Sequence, residues 1–301
     1  MMNFKERFRG LRVESLEDRS LLAADIGNLV AIGDSITASS APTSGDVWYS
    51  YRYELWKDLI DSEVDFQFVG SDRDVAADLH TNTPLWPSYQ GQDYYTSDTS
   101  PTDQAFHEGH PGWTAGQVAN SLDGWLGGYT PDVALIHIGT NDAIQDARFD
   151  NGISGGVEIP TSVTISNIES MIQSLQNDNA NVTIFVAQII PVGSFRIGYH
   201  QSINSNIDAI NAAIEADVDS WSTATSQVIM VDHHTGFNAE SSQYPIDPNG
   251  WTYDDIHPNG VGDAEIASRW HTAIIDWLGQ DPAGITLTEN SGSTNVTEGG
   301  D

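Results

Sequence analysis

Five short apolar runs, separated by stretches of helical periodicity, constrain the fold of this 301-residue chain more than any other feature. They fall at 28–32 (Asn-Leu-Val-Ala-Ile), 65–69 (Asp-Phe-Gln-Phe-Val), 132–138 (Asp-Val-Ala-Leu-Ile-His-Ile), 182–187 (Val-Thr-Ile-Phe-Val-Ala) and 227–231 (Gln-Val-Ile-Met-Val). Three are almost continuously apolar, the pattern of parallel strands covered on both faces. Between and after them, Ile165, Ile168, Ile172 and Leu175, then Ile203, Ile207, Ile210, Ile214 and Val218, then Ile266, Trp270, Ile274 and Trp277 recur at helical spacing. Strand and helix alternating in this way predict right-handed βαβ units. The expected architecture is α/β, a three-layer α/β/α sandwich on a five-stranded parallel sheet. One domain over 27–280 accommodates it.

The charge balance narrows the partners. The chain has 11 Lys+Arg against 43 Asp+Glu, a formal net charge of −32. Lys5, Arg7, Arg9, Arg12 and Arg19 crowd the first 20 residues beside four acidic groups, so the excess acidity belongs to the body. Such a surface repels nucleic acid and anionic lipid at long range, and no apolar run has the ~18 residues of a membrane span. With no cysteine, thiolate metal sites and thiol catalysis are excluded.

Both ends differ in texture. Residues 1–26 read as a leader or targeting segment whose stretch from Val13 to Ala23 is similar to one near the start of large bacterial surface-exported proteins. Residues 281–301 offer one short alternating strand and then polar turn residues, as a linker or the truncated start of a β-rich extracellular module. Together they suggest part of a larger multidomain protein, extracellular or at the cell surface.

Four polar blocks stand where loops should meet one edge of the sheet. Gly33-Asp34-Ser35-Ile36 ends the first strand, where ligands bind in such sheets. Within His107-Glu108-Gly109-His110-Pro111-Gly112-Trp113-Thr114, Gly112 can present a bare N–H, and the helix expected over 114–125 follows. Gly139-Thr140-Asn141-Asp142 ends the third strand and offers the Asn141 amide as a donor. Asp254-Asp255-Ile256-His257-Pro258 precedes the last helix, and a carboxylate three residues before a histidine can curl back to its Nδ1–H. Each block alone is an ordinary turn or cap.

In this order the four blocks resemble the SGNH hydrolase superfamily, the GDSL esterases and lipases, with Ile36 where the family label has Leu. The third family of carbohydrate esterases, which includes acetylxylan esterases, is the most similar branch. The resemblance implies a flavodoxin-like SGNH hydrolase fold and a serine esterase forming an acyl-enzyme. It implies Ser35 as nucleophile and His257 as base and then acid. Asp254 would orient His257, with Asp255 as a rival. Ser35 N–H, Gly112 N–H and the Asn141 side chain would hold the oxyanion, and Asp34, Thr140 and Trp113 would contact substrate. No metal or organic cofactor is implied.

The aromatics Trp48, Trp86, Tyr89, Trp113 and Trp251 lie near the blocks in sequence and suit sugar rings. An acidic surface also favours approach of a neutral acetylated polysaccharide over an anionic lipid. The expected partner is therefore an acylated small molecule or polysaccharide, with O-acetyl removal ranked above lysophospholipase or thioesterase activity. A non-catalytic carbohydrate-binding or adhesion module is the rival from another class. His233 and His234 alternate in direction if extended, so a shared metal is not expected, and His137 is expected beneath the site.

Overall fold

The computed structural model of the chain describes residues 23–38, 50–73, 88–92, 104–194, 198–242, 247–280 and 286–288. Its strands are β1 (Ala23–Gly33), β2 (Val64–Val69), β3 (Asp72–Arg73), β4 (Phe106–Gly109), β5 (Val133–His137), β6 (Thr183–Ala187), β7 (Val228–Val231) and β8 (Thr286–Thr288). The five apolar runs supply β1, β2, β5, β6 and β7, which lie parallel in the order β2-β1-β5-β6-β7. Counting only these five, the order is 2-1-3-4-5, that of flavodoxin-like sheets.

Three short strands extend the expected sheet. β4 lies parallel to the end of β1, pairing Ile32 with Glu108 and Gly33 with Gly109. β3 is antiparallel to β4, and β8 is antiparallel to the start of β1. β4 reads Phe-His-Glu-Gly, which has no apolar run to betray it. β1 begins at Ala23, inside the segment read as leader, and Ala23–Asp25 pairs with Thr286–Thr288, beyond residue 280. The rest of both flanks, with Trp48 and Trp86, lies outside the described residues.

The helices are α1 (Ser35–Ala38), α2 (Tyr51–Asp61), α3 (Ala115–Leu126), α4 (Thr140–Asp150), α5 (Thr161–Asp178), α6 (His200–Trp221) and α7 (Gly260–Gln280). Alternation along each strand divides the core. In β6, Ile184 and Val186 belong to the core layer that holds Leu122 of α3, Ile168 and Ile172 of α5 and Ile207 of α6. Phe185 and Ala187 face α2 and α7, meeting Leu55, Trp56, Ile266, Trp270 and Ile274. Each such aliphatic side chain removed from water contributes roughly 1.5–3 kcal/mol. Burial on both faces explains why these strands read as apolar runs rather than as alternating ones. Among the described residues no helix is long and apolar enough to cross a membrane.

Candidate active site

Glycine determines how the first block folds. Gly33 and Gly109 are register partners at the carboxyl edge of the sheet, and Gly33 also pairs with His137. A β-carbon on Gly33 would strike the Thr37 side chain and the His137 carbonyl, and one on Gly109 would strike the backbone of Ala38. Without them α1 lies directly across the strand ends, and Ser35, its first residue, stands at the edge, 8% exposed.

His257 reaches that hydroxyl from the far end of the chain. Its Nε2 lies 2.8 Å from Ser35 Oγ, and its Nδ1 lies 2.8 Å from Asp254 Oδ2. The other Asp254 oxygen, Oδ1, accepts from the backbone N–H of His257 at 2.8 Å and of Ile256 at 3.1 Å. Burial alone would raise the Asp254 carboxyl, but the bonds from the His257 ring and backbone outweigh it and hold the group below the ordinary carboxylate value. Tyr253 stacks on the imidazole at 5.5 Å between ring centroids and 13° between planes.

Asp255 turns the other way. It is fully buried in left-handed backbone (φ +72°), and its Oδ1 accepts from Ser241 N–H at 3.1 Å. Its carbonyl takes the Gly193 N–H at 2.7 Å. Between the two carboxylates, therefore, Asp254 engages the histidine and Asp255 ties its turn to neighbouring loops.

Two other blocks bring N–H groups to this edge of the sheet. Gly112 is exposed at φ +79°, in open space that its lack of a side chain keeps clear. Among the described residues, no acceptor takes the N–H of Gly112 or of Ser35. Asn141 sits in the first turn of α4, and its Nδ2 donates one hydrogen to the Trp113 carbonyl at 3.0 Å, leaving the second available. His110 N–H donates to the Gly33 carbonyl at 3.0 Å. Two bonds thus stitch the Gly112 loop to both the Ser35 strand and the Asn141 helix.

The sequence profile of the GDSL-like lipase/acylhydrolase family matches residues 31–264, spanning all four blocks. The chain belongs to this family. The family covers GDSL-like lipases and acylhydrolases. A multidomain esterase from Ruminococcus flavefaciens is 24% identical over 270 residues, 85% of this chain and 29% of that protein. A relative from Acetivibrio thermocellus is 25% identical over 163 residues, 54% of this chain and 58% of its own length. This chain therefore spans less than two thirds of either relative. Among solved structures, a carbohydrate esterase family 3 protein from Talaromyces cellulolyticus shares the fold at TM-score 0.56 and 23% identity, covering 84% of this chain and 98% of that one. A family 3 carbohydrate esterase from Clostridium thermocellum does so at TM-score 0.52 and 24% identity, covering 84% and 97%.

Other groups in this GDSL hydrolase depart from their expected places. Asp34 and Thr140, expected to touch substrate, are buried at 1% and 3% exposure. Asp34 Oδ1 accepts from Ile36 N–H at 2.9 Å and shapes the turn, and burial pushes its carboxyl up to about 6 against the opposing pull of that bond and of His257. Trp113 stays partly exposed beside Gly112. Tyr89 is not at the site. It bonds Asp61 at the far end of α2, eleven residues and roughly 16 Å along a helix from the Thr37 end. Trp251 packs edge-on against Phe237.

The sequence gives no hint of how the Gly112 loop is braced. Glu108 is fully buried and accepts from Tyr129 OH at 2.7 Å, Ser71 Oγ at 2.8 Å and His110 Nε2 at 3.2 Å. The His110 ring stacks against both Trp113 and Trp125, with centroids 4.6 and 4.3 Å away. Asp142 Oδ2 accepts from Ala115 N–H at 2.9 Å, fastening the start of α4 to the start of α3.

Beneath the site His137 and His233 are buried 5.3 Å apart, centroid to centroid, and among the described residues no group bonds their ring nitrogens. Burial lowers the His137 pKa to about 4 and takes that of His233 well below its ordinary value. A histidine with a depressed folded pKa stabilises the fold above its unfolded pKa near 6.5, and that contribution is lost as pH falls towards 4. Replacing His137 by phenylalanine should therefore flatten the loss of stability between about pH 6.5 and 4, by about 3 kcal/mol relative to wild type at the acid end. Urea unfolding of both proteins at several pH values measures this, and parallel curves would refute it.

Proposed function

We propose that this GDSL hydrolase is a serine esterase that removes O-acetyl groups from carbohydrate through an acyl-enzyme. The observation that carries the reading is the chain of contacts from Ser35 Oγ to His257 Nε2 and from His257 Nδ1 to Asp254, each 2.8 Å long. In that arrangement His257 removes the Ser35 proton as Oγ attacks the ester carbonyl, since a free serine hydroxyl is a poor nucleophile near neutral pH. Asp254 keeps the proton on Nδ1, so that Nε2 is the basic nitrogen, and stabilises the imidazolium that forms. Ser35 N–H, Gly112 N–H and the second Asn141 N–H receive the oxyanion. The imidazolium then protonates the leaving alcohol. Water, activated by the same ring, releases the acid.

The carbohydrate part of the reading is supported by fold neighbours that are family 3 carbohydrate esterases, by the multidomain esterase relative, and by an acidic surface that admits neutral substrates more easily than anionic ones. An extracellular or cell-surface location within a larger protein belongs to the same proposal. An acetate-release screen across acetylated xylan, acetylated chito-oligosaccharide, lysophospholipid and acyl-CoA tests it, with Ser35→Ala as control. Release from an acetylated glycan, absent in Ser35→Ala, is the expected result. Turnover confined to lysophospholipid or acyl-CoA would contradict the carbohydrate assignment.

A further inference from the structure

Three consecutive residues at the start of α2 converge on one residue behind the candidate nucleophile. Ser50 Oγ and Arg52 Nε both donate to the Thr37 carbonyl, at 3.0 and 2.8 Å. Tyr51 OH bonds Thr37 Oγ1 at 3.1 Å. Thr37 is two residues beyond Ser35 in α1, a helix of four residues that is too short to hold its own shape. Arg52 is fully buried. A guanidinium cannot shed its charge there, so it is stable only where acceptors surround it.

The same helix start also meets the element that carries His257. Tyr51 N–H donates to the carboxyl of Asp263, which is buried near Arg52 in the first turn of α7. Asp263 N–H in turn bonds the Asn259 carbonyl at 2.8 Å. Asn259, two residues past His257, caps α7 by accepting from Val261 and Gly262 N–H at 2.9 and 3.2 Å. Its Nδ2 holds the Gly250 carbonyl at 2.8 Å. A continuous path of polar contacts therefore runs from the His257 turn through α2 to the Ser35 helix.

We infer that Arg52 is a positioning residue that holds Ser35 in register with His257 by gripping Thr37. The inference rests on the Ser35–His257 pair proposed above. Those two side chains are 222 residues apart in sequence and meet at 2.8 Å, so their spacing depends on a frame between the elements that carry them. Misplacing a reacting group by ~1 Å costs up to about 100-fold in rate. Among the described residues the frame meets α1 through the carbonyl and hydroxyl of Thr37, so its loss should affect turnover more than substrate binding.

Steady-state kinetics on p-nitrophenyl acetate, together with the rate of labelling by a serine-directed fluorophosphonate, test this in Arg52→Gln, Arg52→Lys, Asp263→Ala and Tyr51→Phe. Arg52→Gln should lower kcat about 10- to 100-fold with KM within about twofold of wild type, and should slow labelling by the same factor. Arg52→Lys should recover part of the loss, and Asp263→Ala, which frees the Tyr51 N–H at the start of α2, should lower kcat in the same direction. Tyr51→Phe, which removes a single hydroxyl, should lower kcat by a smaller factor, and it decides the matter if the other variants do not fold. A folded Arg52→Gln or Tyr51→Phe protein with wild-type kcat and labelling rate would overturn the inference. If Ser35→Ala itself still hydrolysed the ester, the catalytic pair would fail instead, and the inference with it.

Discussion

Asp254→Asn is expected to lower kcat by about 10⁴ while leaving KM and the fold intact. The geometry dictates the direction. Asp254 Oδ1 is already committed to two backbone donors, the N–H groups of Ile256 and His257 at 3.1 and 2.8 Å. An asparagine carbonyl takes over that position readily, which turns its NH₂ towards His257 Nδ1. A donor facing Nδ1 requires the ring to carry its proton on Nε2, and that nitrogen can then no longer take the proton of Ser35. Asp255→Asn should behave differently, because Asp255 pins Ser241 and Gly193 and does not face the ring. Asparagine also tolerates its left-handed backbone at φ +72°, so near-wild-type kcat is expected. Steady-state kinetics of the two variants, with circular dichroism to confirm folding, decide between the carboxylates. A large kcat defect in Asp255→Asn beside an active Asp254→Asn would reverse the assignment.

Asn141→Ala carries the second large effect, an expected loss of about 10²–10³ in kcat. Two consequences add here. The side-chain N–H that would meet the oxyanion disappears, and the Trp113 carbonyl loses its 3.0 Å partner, so the Gly112 loop is released on one side. Asn141→Asp should be at least as damaging, since it sets a negative charge where charge develops. The loss belongs to the transition state, so KM should change little while kcat and kcat/KM fall together. A KM effect without a kcat effect would move Asn141 from the oxyanion to ground-state binding of substrate.

How much of this could be read from the sequence depended on which forces leave a local trace. The five parallel strands are sandwiched between helices, so each shows as an apolar run, and the stripes of α5, α6 and α7 repeat at helical spacing. β4 left no trace because Phe106–Gly109 is held by its neighbours β1 and β3 and by a buried glutamate, with little apolar content of its own. α4 is not among the helices that the spacing predicts, because the contacts that fasten it, Asp142 to Ala115 N–H and to Thr164 Oγ1, act over 27 and 22 positions. The candidate site followed the same division. Ser35, Gly112, Asn141 and His257 stand in blocks with a recognisable order, whereas the choice of Asp254 over Asp255 required knowing which way each side chain turns. The bracing groups were hidden for the same reason. Glu108 receives Ser71 across 37 residues and Tyr129 across 21, and Arg52 receives its role only when Thr37 lies beneath it. Asp34 stands beside Ser35 in sequence, yet the tightness of the turn it makes carries it inward.

In the proposed reaction the acidic surface filters substrates and the chemistry rests on a handful of bonds near 2.8 Å at the sheet edge. Stoichiometric reaction with a fluorophosphonate, mapped by peptide mass spectrometry, addresses that claim most directly. The account predicts one adduct per chain, on the peptide containing Ser35, with adduct and ester hydrolysis both lost in Ser35→Ala. An adduct on any other residue, or hydrolysis that persists in Ser35→Ala, would contradict it.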